Sequence, residues 1–155
     1  MTVTLRPLVA SDAEFVFAMM RDPASVAMVG FTIPDLDRAT FDPWFENLRS
    51  SPDIRSFAVL DEEALAGVAA VYNLATAPEV TYWIDRAQWG RGIASRALEL
   101  MVVEVPVRPL IAGAGADNAA SLAVLHRSGF REFTRERAMA LGRGVEMEAV
   151  RLRLE

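Results

Sequence analysis

Gly90 and Gly92 flank Arg91 at the junction between two patterned segments. Ahead of them, residues 80–84 alternate as a β-strand does, and Asp85 to Gln88 form a short turn. Behind them, Gly90-Arg91-Gly92-Ile93-Ala94 opens a helical run that continues from Ser95 to Glu104. Strand, glycine turn and helix N-terminus together make an anion-binding arrangement. Glycine lets the backbone approach without a Cβ, successive N–H groups point outward, and the helix dipole favours negative charge. A tight steric turn would use the same glycines, so this segment alone leaves both readings open. Asn118-Ala-Ala-Ser121, ahead of Gly129-Phe130, is a second segment with polar groups at the mouth of a helix.

Composition bounds the chemistry. At 155 residues the chain is long enough for one sizeable core and is expected to form a single domain, residues 1–155. Hydrophobic residues make up 52% and charged residues 24%, the balance of a globular protein. The formal charge of −5 argues against non-specific binding to nucleic acid or anionic membranes and suits a cationic or amine-bearing partner. The absence of cysteine excludes disulfides, thiolate metal sites and a cysteine nucleophile. The single histidine, His126, cannot build a His-rich metal site, so no metal is expected. The N-terminus lacks the pattern of a signal peptide and no apolar run reaches membrane-spanning length, which predicts a cytoplasmic protein.

The elements that must position these residues can be read in order. Residues 2–8 alternate as a strand. Ser11-Asp-Ala-Glu14 reads as a capping box, with Glu14 reaching back to the Ser11 amide, and the helix it starts stops near Asp22-Pro23. Residues 25–36 carry Gly30 and Pro34 and little periodicity, which predicts an irregular loop or short helical turns. Residues 37–50 are helical, with Phe41, Trp44, Phe45 and Leu48 on one side, either packed in the core or lining a substrate pocket. Pro43 marks a first turn or a break there. Residues 57–60 and 64–72 are two strands around the acidic turn Asp61-Glu62-Glu63. A strand over 79–84 leads to the glycine turn, and another is expected over 107–112. A helix over 119–128 closes on Gly129, and strands over 130–140 and 145–154 flank the turn Gly142-Arg-Gly144. This order of elements gives a mixed sheet with helices on its faces.

Two segments carry a family resemblance. Gln88-Trp-Gly-Arg-Gly92-Ile-Ala94 resembles the acyl-CoA pyrophosphate loop of the GNAT N-acetyltransferases, and residues 118–130 resemble that superfamily's second signature, Asn-x-x-Ser/Ala ahead of Gly-Phe. The opening Leu5-Arg6-Pro7-Leu8, with Ser11-Asp12-Ala13, is similar to the start of the RimJ/RimL-like branch, which acetylates protein N-terminal amines; the Trp-Gly-x-Gly-x-Ala form of the loop points the same way. The chain departs from the pattern at two positions. The loop motif begins at Trp89, with Gln88 one residue early, and Leu125 stands where many members carry a proton-donating tyrosine.

The resemblance implies a GNAT-like α/β (α+β) fold, a mixed, mostly antiparallel sheet of about seven strands flanked by about four helices. It implies acetyl-CoA as co-substrate and a primary amine as acceptor, either a protein N-terminus or a small molecule. The loop of Trp89, Gly90, Arg91, Gly92, Ile93, Ala94 and Ser95 would hold the pyrophosphate, with Arg91 and Arg96 near the CoA phosphates. Trp83, Ile84 and Asp85 would pair with the pantetheine arm, and Asn118 would bond its amide or cap the helix. Ser121 is the candidate acid for the departing thiolate, or a helix residue bonding to CoA or backbone. Glu79 matches by its distance from the loop the glutamate that several members use as base, with Tyr82 as the alternative and His126 on a polar face. Dimers are frequent in the family, so a homodimer is a further implication. Leu125 and the open choice of base motivate a rival reading, a non-catalytic acyl-CoA-binding or sensing module.

Overall fold

Seven strands and five helices build the protein, described over residues 1–155 in a computed structural model. The order is β1 (Val3–Pro7), α1 (Ala13–Met20), α2 (Pro23–Val29), α3 (Arg38–Ser50), β2 (Ile54–Asp61), β3 (Ala64–Asn73) and β4 (Pro78–Ile84). Then come α4 (Ile93–Glu104), β5 (Leu110–Gly115), α5 (Ala119–Arg127), β6 (Arg131–Ala140) and β7 (Val145–Leu154). All strands join one sheet in the order β1-β2-β3-β4-β5-β7-β6. Every neighbouring pair is antiparallel except β4 and β5. The mixed, mostly antiparallel seven-stranded sheet is therefore as expected. No helix is long and apolar enough to cross a membrane.

A separate core fills each face of the sheet. On one face α4 and α5 bury Ile93, Leu98, Met101, Val124 and Leu125 against Val59, Val71, Val80 and Leu110. On the other, α1 and α3 bury Val16, Met19, Phe41, Phe45 and Leu48 against Ala58, Val68 and Ala70. In α3 the spacing of Phe41, Phe45 and Leu48 keeps them on one stripe. Their burial offsets the hydrogen bond that Pro43 removes, a cost of up to ~3 kcal/mol. Pro43 therefore sits inside a continuous helix, neither a first turn nor a break.

One open expectation is resolved and two are corrected. Residues 25–36, expected as an irregular loop or short helical turns, take the helical form at their start, where α2 over Pro23–Val29 brings the helices to five. Asp22 caps it by accepting the Ser25 amide at 3.0 Å, Pro23 supplies a helical φ in the first turn, and Gly30 at φ +73° ends it. The N-cap of α1 is Asp12 rather than Ser11. Asp12 accepts the Val9 amide at 2.9 Å and two bonds from the Arg6 guanidinium, both at 2.8 Å, and these partners let its carboxylate be buried. Glu14 instead pairs with Arg38 at 2.7 Å. Finally, β5 starts and ends three residues later than expected, because its register with β7 carries it through Gly115, opposite Ala149.

The feature that positions the site is where β4 and β5 part. Their parallel register contains one pair, Glu79 with Ile111. Beyond it the strands diverge, and the β4 edge from Val80 onward has no ladder partner on that side. On its other side β4 stays paired with β3 up to Ile84, opposite Gly67. A Cβ on Gly67 would lie 2.3 Å from the Trp83 carbonyl oxygen, so only glycine allows this approach.

Candidate active site

The turn after β4 delivers the glycine loop to the mouth of α4. Gly90 and Gly92 have φ of +77° and +81°, the left-handed region that favours glycine. Trp89 donates its amide to the Arg86 carbonyl, and Arg96 donates the first helical bond, to Gly92. Between them, no amide of residues 90–95 donates to a backbone or side-chain acceptor. A helix leaves its first few amides free. Here the free run extends upstream through both glycines, and that continuous stretch of donors at the positive end of a dipole fits a diphosphate.

These amides open on a cleft of about 320 Å³. Its walls include Trp83 and Ile84 from β4, Trp89, Gly90, Gly92, Ile93, Ala94 and Ser95 from the loop, and Asn118 and Ser121 from α5. The sequence-predicted binding residues thus converge, except Asp85 and Arg91, which lie outside the lining. Trp89 is held against the strand end, its Nε1 donating to the Ile84 carbonyl at 2.9 Å. Asn118 caps α5, accepting the Ser121 amide at 3.2 Å, and still faces the cleft.

The arginines differ from expectation. Arg91 donates to Asp61 Oδ2 at 2.6 Å and also to Gln88 Oε1, so it braces the loop from behind. Arg96 pairs with Glu99 at 3.0 Å on the exposed side of α4. The arginine that lines the cleft is Arg127 of α5, whose Nη2 donates to Ser95 Oγ at 3.3 Å. Sequence analysis missed Arg127 and Asp61 because each reaches the loop only through tertiary packing. Gly67, inside a strand pattern, did carry a readable signal of close backbone approach.

The candidate catalytic residues separate. Ser121 Oγ lies 2.9 Å from the Tyr82 hydroxyl, on the α4 and α5 face. Burial pushes the Tyr82 phenol above its ordinary pKa, against a smaller lowering by the Ser121 bond. The phenol is thereby held toward its protonated form, and it shares with Ser121 one hydrogen bond in which either oxygen can donate. Glu79 is on the other face, cross-strand from Tyr72 and 3.6 Å from Arg151, and lines neither the cleft nor its neighbour. Leu125 is fully buried in the core and His126 is exposed.

A second cavity, of about 370 Å³, lies on the face that carries α3. It shares Val29, Tyr82 and Trp83 with the first, so the two spaces meet across the end of β4. Trp44 and Leu48 of α3 form part of its wall. The aromatic stripe of that helix therefore serves both purposes: Phe41 and Phe45 are core, and Trp44 is cavity wall. No cluster of three or more His, Cys, Asp or Glu side chains is present that would hold a metal ion.

Comparison with known proteins supplies the family. Residues 2–131 match the family model described as an acetyltransferase (GNAT) domain. Among curated protein sequences, none matches. Among solved structures, the chain superposes on a spermidine N-acetyltransferase from Vibrio cholerae, in complex with CoA and spermine, with a TM-score of 0.82 at 18% identity, covering 98% of this chain and 94% of the other. A ribosomal-protein-alanine N-acetyltransferase from Brucella melitensis gives a TM-score of 0.81 at 20% identity, covering 97% and 98%. A phosphinothricin acetyltransferase from Sinorhizobium meliloti, in complex with AcCoA, gives 0.82 at 20%, covering 99% and 88%. At such identities the superpositions speak for the fold, and the family match speaks for the activity: the chain belongs to the GNAT family and is an acetyl-CoA-dependent acetyltransferase.

Proposed function

We propose that residues 1–155 work as one domain that moves the acetyl group of acetyl-CoA directly to a primary amine, with no acetyl-enzyme intermediate. The observation that carries this reading is the run of unpaired amides at 90–95, opening on a cleft that meets a second cavity at Tyr82 and Trp83. The amides and Arg127 would grip the diphosphate. The pantetheine arm would complete the open edge of β4 at Trp83, Ile84 and Asp85, and a backbone N–H there would polarise the thioester carbonyl. Direct transfer suits a chain without cysteine.

In this reading the neutral amine comes from the second cavity and attacks the carbonyl carbon. The C–N bond forms, the C–S bond breaks, the nitrogen loses one proton and the thiolate gains one. Ser121 stands as donor to the thiolate, with the Tyr82 hydroxyl 2.9 Å behind it to resupply the proton. Glu79 would receive the amine's proton through water, since it borders Tyr72 without lining the cavity. The opening Leu5-Arg6-Pro7-Leu8 and the Trp89-Gly90-Arg91-Gly92 loop support descent beside the RimJ/RimL-like branch. They do not select the amine, because the acceptor cavity does that.

Thiol release from acetyl-CoA in the presence of primary amines tests the transfer. Replacing Ser121→Ala is expected to lower kcat roughly a hundredfold with the KM for acetyl-CoA unchanged. A kcat within twofold of wild type would remove Ser121 from the role of acid.

A further inference from the structure

We infer that the acceptor is a small primary amine with an uncharged, largely apolar body, an alkylamine or arylalkylamine, bound in the cavity against α3. This rests on the transfer reading above and adds the substrate class. Thirteen of the sixteen residues lining the cavity are hydrophobic, and the other three are Thr32, Thr40 and Thr81. Aspartate, glutamate, lysine, arginine and histidine are all absent from the lining. Phe31, Trp44, Tyr72 and Trp83 supply flat aromatic walls. The volume of about 370 Å³ falls within the ~300–1,000 Å³ typical of small-molecule sites.

The lining discriminates by what it leaves unpaired. A polyamine brings a second ammonium group, which would lose its water with no carboxylate to receive it. An acceptor with a carboxylate or phosphinate would lack a cation. A peptide N-terminus would carry several backbone amides into a wall whose polar side-chain groups are three threonine and two tyrosine hydroxyls and the indole N–H groups of Trp44 and Trp83, with no carboxylate or amide side chain among them. An alkyl or aryl body loses nothing by desolvation, and each methylene buried adds to binding. The reacting amino group must lose its proton to attack the thioester in an alkylamine and a polyamine alike, so that cost is shared and only the second ammonium discriminates between them.

The test uses the full chain and thiol release at saturating acetyl-CoA. The acceptors are the n-alkylamine series from propylamine to hexylamine, phenethylamine, spermidine and an alanine-initiated pentapeptide. The expected result is a rise in kcat/KM of about fourfold per added methylene. Phenethylamine should exceed spermidine at least tenfold. Trp44→Ala, checked for an unchanged melting transition, should lower kcat/KM for phenethylamine about tenfold and leave the KM for acetyl-CoA alone. A flat alkylamine series, or higher kcat/KM for spermidine or the peptide, overturns the acceptor class while leaving the transfer reading intact. Acetyl-CoA bound with no amine acetylated overturns both.

Discussion

At the scale of single residues, the site depends on conformations and partners that few side chains could replace. Gly92 sits at φ +81° at the mouth of α4, where a β-branched residue is strained and would crowd the amides. Gly92→Val is expected to weaken acetyl-CoA binding at least tenfold by calorimetry, with the fold retained by circular dichroism. Asp61 is buried and holds Arg91, which braces the loop through Gln88. Asp61→Asn, near-isosteric but uncharged, should raise the KM for acetyl-CoA several-fold with kcat within twofold, the pattern of a positioning residue. Tyr82 adds a pH signature. Its folded pKa lies above the ordinary value of 10.0, so the stability its burial contributes is present below about pH 10 and lost as pH rises through the folded value. Urea unfolding of wild type should therefore weaken more steeply above pH 10 than that of Tyr82→Phe.

At the scale of elements, most of the frame was legible in the sequence and the misses have identifiable causes. Alternation in β4, the Asn118 cap and Gly129 at φ +93° after α5 are local signals, and the structure follows them. The sequence leaves residues 25–36 open between a loop and short helical turns because the seven residues of α2 are too few to show a period, although Asp22-Pro23 is itself a start signal. Ser11 has the sequence neighbourhood of a cap, with Glu14 three residues on. The Arg6 guanidinium, six residues away, decided for Asp12 instead. The hairpin joining β2 to β3 shows a local rule overridden. Glu62 and Glu63 occupy φ of +50° and +70°, the signs of a two-residue turn that favours Asn-Gly. Replacing both with Asn-Gly should stabilise the protein by about 1 kcal/mol in urea titration.

At the scale of the whole molecule, function follows from one sheet with two working faces. The α4 and α5 face carries the cleft proposed for the cofactor's diphosphate, and the α3 face carries the cavity proposed for the acceptor. The two spaces share Val29, Tyr82 and Trp83, and the two β4 residues lie beyond the Glu79 and Ile111 pair that ends its ladder with β5. Sequence motifs could locate the first face, because its donors are consecutive amides in a glycine turn. They could not locate the second, whose walls come from Val29, Phe31, Trp44, Val68 and Trp83, distant in sequence and ordinary in type. Nor could they show that Glu79 and Ser121 stand on opposite faces, since that needs the register of β4 together with the placement of α5. The central claim, that amides 90–95 hold the diphosphate of acetyl-CoA, is tested most directly by an amide proton–nitrogen NMR titration with acetyl-CoA and, separately, with acetyl-pantetheine. The account predicts that the amides of Gly90, Arg91, Gly92, Ile93, Ala94 and Ser95 shift strongly with acetyl-CoA and little with acetyl-pantetheine, which lacks the diphosphate. Equal shifts with both ligands, or an unmoved loop when acetyl-CoA is bound, would contradict it.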